Sequence, residues 1–192
     1  MNLEALPRFR LAEFPTPIHH LESFSKAFNG PAILIKRDDI TSLGMGGNKT
    51  RKLEFLIGEA LKKGKDTLVT AGGLQSNHCR LTAAAARKAG LSCHLVLNGI
   101  KPESFNGNLL LDRIFGANIH YCDRKDRDSR LNQVAEDLAA AGKKPYVIPV
   151  GGSNSIGSAG YVNAMLELET QLKDMHVQLD AIVFATRSGG TQ

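Results

Sequence analysis

Cysteine is scarce: Cys79, Cys93 and Cys122 are the only three, an odd number with no C-x-x-C spacing. That excludes a disulfide framework and a zinc knuckle, and it fits a reducing cytoplasm. Long apolar runs are missing as well. The opening stretch MNLEALPRFRLAEF is broken by arginines and glutamates, so it holds no signal-peptide core, and no later segment is long enough to span a bilayer. Nor is there a block of one charge sign, although 24 Lys and Arg against 19 Asp and Glu leave a net charge of +5. The densest stretch, RKDRDSR from Arg124 to Arg130, mixes both signs and argues against a nucleic-acid partner. Tandem repeats, low-complexity tracts and flexible linkers are absent, so any domain boundary is a packing boundary. The adjacent His19 and His20 lack companion carboxylates or cysteines and read as surface residues, not metal ligands. What remains is a soluble, intracellular, globular chain of 192 residues with 42% hydrophobic content, enough to bury a substantial core.

From residue 32 the sequence alternates short β-branched runs with amphipathic helical ones. Strands are expected at Ala32 to Lys36, Thr67 to Thr70, Ser92 to Leu97, Asn118 to Tyr121, Pro145 to Ile148 and Ala181 to Thr186. Between them, Leu53, Leu56, Ile57, Ala60 and Leu61 mark one face of a helix stopping at Gly64. Further helices are expected from Asn77 to Ala89, from Asn108 to Phe115, around Leu131 to Leu138, and from Gly157 to Leu172. Such alternation with short Gly-bearing connections specifies a mostly parallel sheet covered by helices, an α/β fold whose ligands sit beyond the carboxyl ends of strands.

Four loops that follow strands carry the glycine clusters. In GMGGNKTRKLEFL a glycine run delivers Lys49 to the start of a helix, with Arg51 and Lys52 nearby. The helix dipole and these charges favour a neutral amine, the nucleophile of carbonyl chemistry; the plainer reading is a lysine that opens a solvated helix. A nucleotide-binding P-loop is a poor match, because Asn48 intervenes before the lysine and Leu43 stands where a glycine is required. In TAGGLQSNHCRLTAA, Ser76, Asn77 and His78 present a hydroxyl, an amide and an imidazole beside free helix N–H groups, a cradle for a carboxylate; Ser76 or Asn77 also reads as a plain N-cap. The loops PVGGSNSIGSAGY and FATRSGGTQ complete the set, and SGGT is the kind of backbone nest that holds a phosphate, with a hydroxyl from Thr191.

Taken in order, GGNKTRKLEFL, AGGLQSNH, IPVGGSNSIGSAGY and SGGT resemble the D-cysteine desulfhydrase and 1-aminocyclopropane-1-carboxylate deaminase family of pyridoxal-phosphate enzymes, within the tryptophan-synthase-β-like fold (fold type II). RFRLAEFPTPIHHL and ILIKRDD match that family's opening. The resemblance covers essentially the whole chain. It implies pyridoxal 5'-phosphate as cofactor, with Lys49 holding the aldehyde, Asn77 bonding the ring hydroxyl, and Ser188, Gly189, Gly190 and Thr191 binding the phosphate with help from Lys52. Ser76, Asn77 and His78 would receive the carboxylate of a small amino-acid substrate, and Ser76 joins Lys49 as a catalytic residue. The implied architecture is a small α/β domain, residues 52–161, against a partial large domain, residues 1–51 and 162–192, with the cofactor in the cleft between them.

The activity implied is α,β-elimination of D-cysteine to pyruvate, ammonia and hydrogen sulfide, because IPVGGSN and QSNH stand closer to the desulfhydrase branch. Ring-opening deamination and L-cysteate lysis are the alternatives. Family members continue past SGGT into a part that supplies the cofactor's ring-nitrogen partner, so the chain reads as truncated at Gln192, and a non-catalytic remnant is a further alternative. Arg187 departs from the family's usual glycine: it would pair with the phosphate or distort the nest. A homodimer in the cytoplasm completes the expectation.

Overall fold

The computed structural model describes residues 3–185. Two layers of helix enclose a four-stranded sheet, preceded by a small antiparallel pair. The pair is β1 (Ile18–His20) against β2 (Leu34–Lys36), with α1 (Glu22–Ala27) between them. The remainder runs α2 (Lys49–Lys62), β3 (Thr67–Gly73), α3 (Asn77–Ala89), β4 (Ser92–Asn98), α4 (Gly107–Ile114), β5 (Asn118–Cys122), α5 (Arg127–Ala140), β6 (Pro145–Val147) and α6 (Ser155–Asp174).

Local chemistry explains most of the boundaries. The Ser76 hydroxyl accepts from Cys79 N–H at 3.2 Å and opens α3, which Gly90 closes in the left-handed conformation at φ 71°. Asn154 Oδ1 accepts from Gly157 N–H at 2.8 Å and opens α6. The strand expected from Ala32 shortens to three residues and pairs with β1, which has too few residues to show an alternation of its own. The strand expected at Ala181 to Thr186 is not formed in residues 181–185, and Thr186 lies outside the described residues. A strand requires a neighbour for its ladder bonds, and no described strand pairs with this segment, whose Val183 is 95% exposed.

The main sheet is wholly parallel, in the order β5-β4-β3-β6. Alternate residues divide the core. Leu68, Leu95 and Leu97 join Leu53, Leu56 and Ile57 of α2, Leu81 of α3 and Leu109 of α4 on one face. Val69, Ala71 and Val96 meet Leu131 and Val134 of α5 on the other. The chain steps outward from β3 to β5, then returns to lay β6 on the opposite side of β3. That reversal opens a crevice at the carboxyl ends of β3 and β6. Among the described residues, no helix is long and apolar enough to cross a membrane.

Candidate active site

Three segments meet around that crevice: the start of α2, the first turn of α3 and the turn at 150–152. Lys49 is the first residue of α2. The glycine loop before it is pinned from both sides, with Thr41 Oγ1 accepting from Gly47 N–H at 2.9 Å and Arg80 donating to the Gly46 carbonyl at 2.9 Å. The Lys49 amine donates to Asn48 Oδ1 at 3.1 Å, and burial lowers its pKa. Arg51 takes no part in that lowering. It turns away from Lys49 and is held by Asp38 and Glu167.

Lys52 lies one turn further and is fully buried, donating to the Gly151 carbonyl and to Ser153 Oγ, both at 3.0 Å. Burial and the Lys49 charge bring it down to about 8. His78, in the first turn of α3, is buried beside both lysines, and burial with their two charges pushes it down to about 3, so the ring is neutral. Its tautomer follows from its neighbour. Thr70 Oγ1 spends its proton on the Ile148 carbonyl at 2.8 Å, so it accepts from His78 Nε2–H at 2.9 Å. His78 Nδ1 is left as a buried acceptor without a partner among the described residues.

Gly152 closes this pocket at φ 62°. A Cβ there would lie 3.1 Å from Leu56 Cδ1, 3.6 Å from His78 Cε1 and 3.7 Å from Lys52 Cδ, filling the space those side chains border.

The other expected residues are placed less directly. The Ser76 hydroxyl is used as the α3 cap, and Asn77 Oδ1 accepts from Asn108 at the start of α4 at 2.7 Å. Among the described residues, neither bonds to Lys49 or Lys52, while the backbone N–H groups of Asn77 and His78 remain without acceptors. Ser188, Gly189, Gly190, Thr191 and Arg187 lie outside the described residues. Sequence reasoning missed Thr70 and Gly152, and it met Asn48 only as the residue that spoils a P-loop. Their signal is spatial, since each acts across a gap of chain or beside a residue that already had an explanation.

A family profile described as pyridoxal-phosphate dependent enzyme matches residues 9–192. The chain belongs to that family. The D-cysteine desulfhydrase of Klebsiella pneumoniae subsp. pneumoniae is 47% identical over 196 residues, a match covering 99% of this chain and 59% of that protein. The chain thus spans about three fifths of that relative's length. A crystal structure of an ACC deaminase homologue superposes with a TM-score of 0.91 at 46% identity, covering 98% of this chain and 57% of its own. The apo diaminopropionate ammonia lyase of Escherichia coli shares the fold alone, at 19% identity and a TM-score of 0.66, over 86% of this chain and 48% of its own. The helix-covered, mostly parallel sheet is accordingly that of the fold-type II pyridoxal-phosphate enzymes.

The residues present suit the cofactor of this family. Its aldehyde needs a neutral primary amine, and Lys49 is shifted in that direction. Its phosphate needs a cation, and Lys52 at about 8 still carries its proton at neutral pH.

Proposed function

We propose that the protein is a pyridoxal-phosphate-dependent lyase that converts D-cysteine and water to pyruvate, ammonia and hydrogen sulfide. The observation that carries the reading is the Lys49 amine, kept towards neutrality at the sheet's crevice beside buried Lys52 and neutral His78. In this reading Lys49 would hold the cofactor through its aldehyde, and its amine would take the proton from Cα of the substrate. When bound, the cofactor supplies an electron-withdrawing ring that stabilises negative charge at that carbon.

The unpaired N–H groups of Asn77 and His78 at the α3 N-terminus support a substrate carboxylate there, with the Ser76 hydroxyl close by. Asn77 retains its amide N–H₂ for the ring hydroxyl. Lys52 would share the phosphate with residues Ser188 to Thr191. The crevice would then lie between a small domain, residues 52–161, and a larger one built from 1–51 and 162–192. Elimination from an amino acid also fits a cytoplasmic protein.

The likeness to the ACC deaminase homologue favours ring-opening deamination as a second reading. One experiment addresses both. The full chain incubated with pyridoxal phosphate should gain an absorption band at the violet edge, and Lys49→Ala should lose it. With the cofactor bound, sulfide released from D-cysteine supports the first reading. Ammonia from 1-aminocyclopropane-1-carboxylate without sulfide from D-cysteine supports the second. A band that survives in Lys49→Ala overturns both.

A further inference from the structure

We infer that Asn108 is a positioning residue for the proposed site: it holds the Asn77 amide by its oxygen, so that the N–H₂ group is the end left for the cofactor's ring hydroxyl. The inference rests on the reading of Asn77 as the partner of that hydroxyl.

Asn77 is the first residue of α3, and an amide there has no direction of its own. It offers an acceptor at one end and a donor at the other, in groups of nearly the same shape. A ring oxygen that has to be met by a donor therefore needs something to choose the end.

The choice is made from the first turn of α4. Asn108 Nδ2 donates to the Gln75 carbonyl at 2.8 Å. A backbone carbonyl can only accept, so the end of Asn108 turned to that loop is its N–H₂ group. The same nitrogen lies 2.7 Å from Asn77, where only the amide oxygen can accept from it. Both hydrogens of Asn108 are then used. The Asn77 oxygen is committed to Asn108, and its N–H₂ group has no acceptor among the described residues.

Asn108 is itself fixed by a second set of bonds between the same two segments. Its backbone N–H donates to Gln75 Oε1 at 2.8 Å, while Gln75 Nε2 donates to the Asn106 carbonyl at 3.3 Å and to Asn106 Oδ1 at 3.1 Å. Gln75 thereby caps α4, which Asn106 at the N-cap does not do with its own side chain. Gly107 permits the approach. It has φ 52°, and a Cβ there would lie 2.5 Å from Gln75 Oε1. None of these bonds uses the Asn108 side chain, so its role can be tested apart from the docking of α4.

The test uses the full chain and two compounds, pyridoxal phosphate and an analogue lacking the ring hydroxyl, with dissociation constants from equilibrium dialysis. Asn108→Asp keeps the shape of the side chain, has no hydrogen to give Asn77, and suits a helix N-terminus. It should weaken pyridoxal phosphate about fivefold and leave the analogue unchanged. Asn108→Ala adds no charge and should discriminate between the compounds in the same direction. In an Asn77→Ala background neither substitution should have a further effect, since both act through Asn77. A merely structural role would weaken both compounds equally, and that result, or no change for either, would overturn the inference. A second readout needs no cofactor. The order parameter of the Asn77 side-chain N–H₂ group should fall in Asn108→Ala, and an unchanged value overturns the inference by itself. Failure of the underlying reading looks different: wild type binds neither compound, or Asn77→Ala weakens both alike, while the order parameter still falls. That result overturns the role assigned to Asn77, and the role of Asn108 with it.

Discussion

Asp112 illustrates how a single residue sets a pH limit on this fold. It lies in α4, wholly buried, and neither carboxylate oxygen has a hydrogen-bond partner among the described residues. Burial pushes its pKa up to about 7, against the opposing pull of Arg80. A carboxyl whose folded pKa is raised favours the folded state while protonated. Its contribution is full below the unfolded value of about 4 and is lost as pH climbs through about 7. Asp112→Asn keeps the neutral shape at every pH. Its melting temperature should exceed wild type by about 5 °C at pH 8 and converge with it near pH 4. Thermal melts at the two pH values check this, and a difference independent of pH would show that Asp112 is not charged in the fold.

Among the elements, the outer pair β4 and β5 carries the corresponding acid limit. His94 Nδ1 and His120 Nε2 are 3.0 Å apart across the strands, with rings stacked at 5.3 Å between centroids. One ring has to donate and the other accept, which requires at least one neutral imidazole. Burial and the neighbouring His120 lower His94; burial and Arg130 lower His120, with Asp137 pulling the other way. A lowered histidine pKa means that the unfolded chain takes up protons first. Stability is therefore present above about pH 6.5 and falls as pH drops through that value. Urea midpoints should fall between pH 7.5 and pH 5.5 in wild type and fall much less in His120→Gln. The protection factors of the β5 amides against hydrogen exchange should fall over the same range in wild type only.

For the whole molecule, a network of buried charge joins the ends of the described chain to α2. Arg51 of α2 bonds Asp38 after β2 and Glu167 of α6, and Glu167 also meets Lys36 of β2 and the Thr16 N–H. Arg51 is 2% exposed and stacks over Phe14 at 4.3 Å, so removing one partner strands a cation away from water. Glu167→Gln should cost about 3 kcal/mol in urea unfolding.

The sequence by itself determined the succession of helices and parallel strands from α2 to α6, the start of α2 at Lys49, a cap at Ser76 or Asn77, the Gly90 stop and the family. Those signals are short-ranged: side-chain periodicity, caps and glycine turns are set by residues a few positions apart. It misjudged the segment 181–185 because a β-branched run states a preference, while a strand needs a partner. Only the tertiary structure decided which groups surround the lysine. The contacts of Lys52 with Gly151, Tyr161 with Asp38, and Arg51 with Glu167 join residues about a hundred or more positions apart. Thr70 fixes the His78 tautomer through a carbonyl on a different segment of the fold. Burial and hydrogen-bond direction, which set the protonation of Lys49, Lys52 and His78, exist only once the chain has closed on itself.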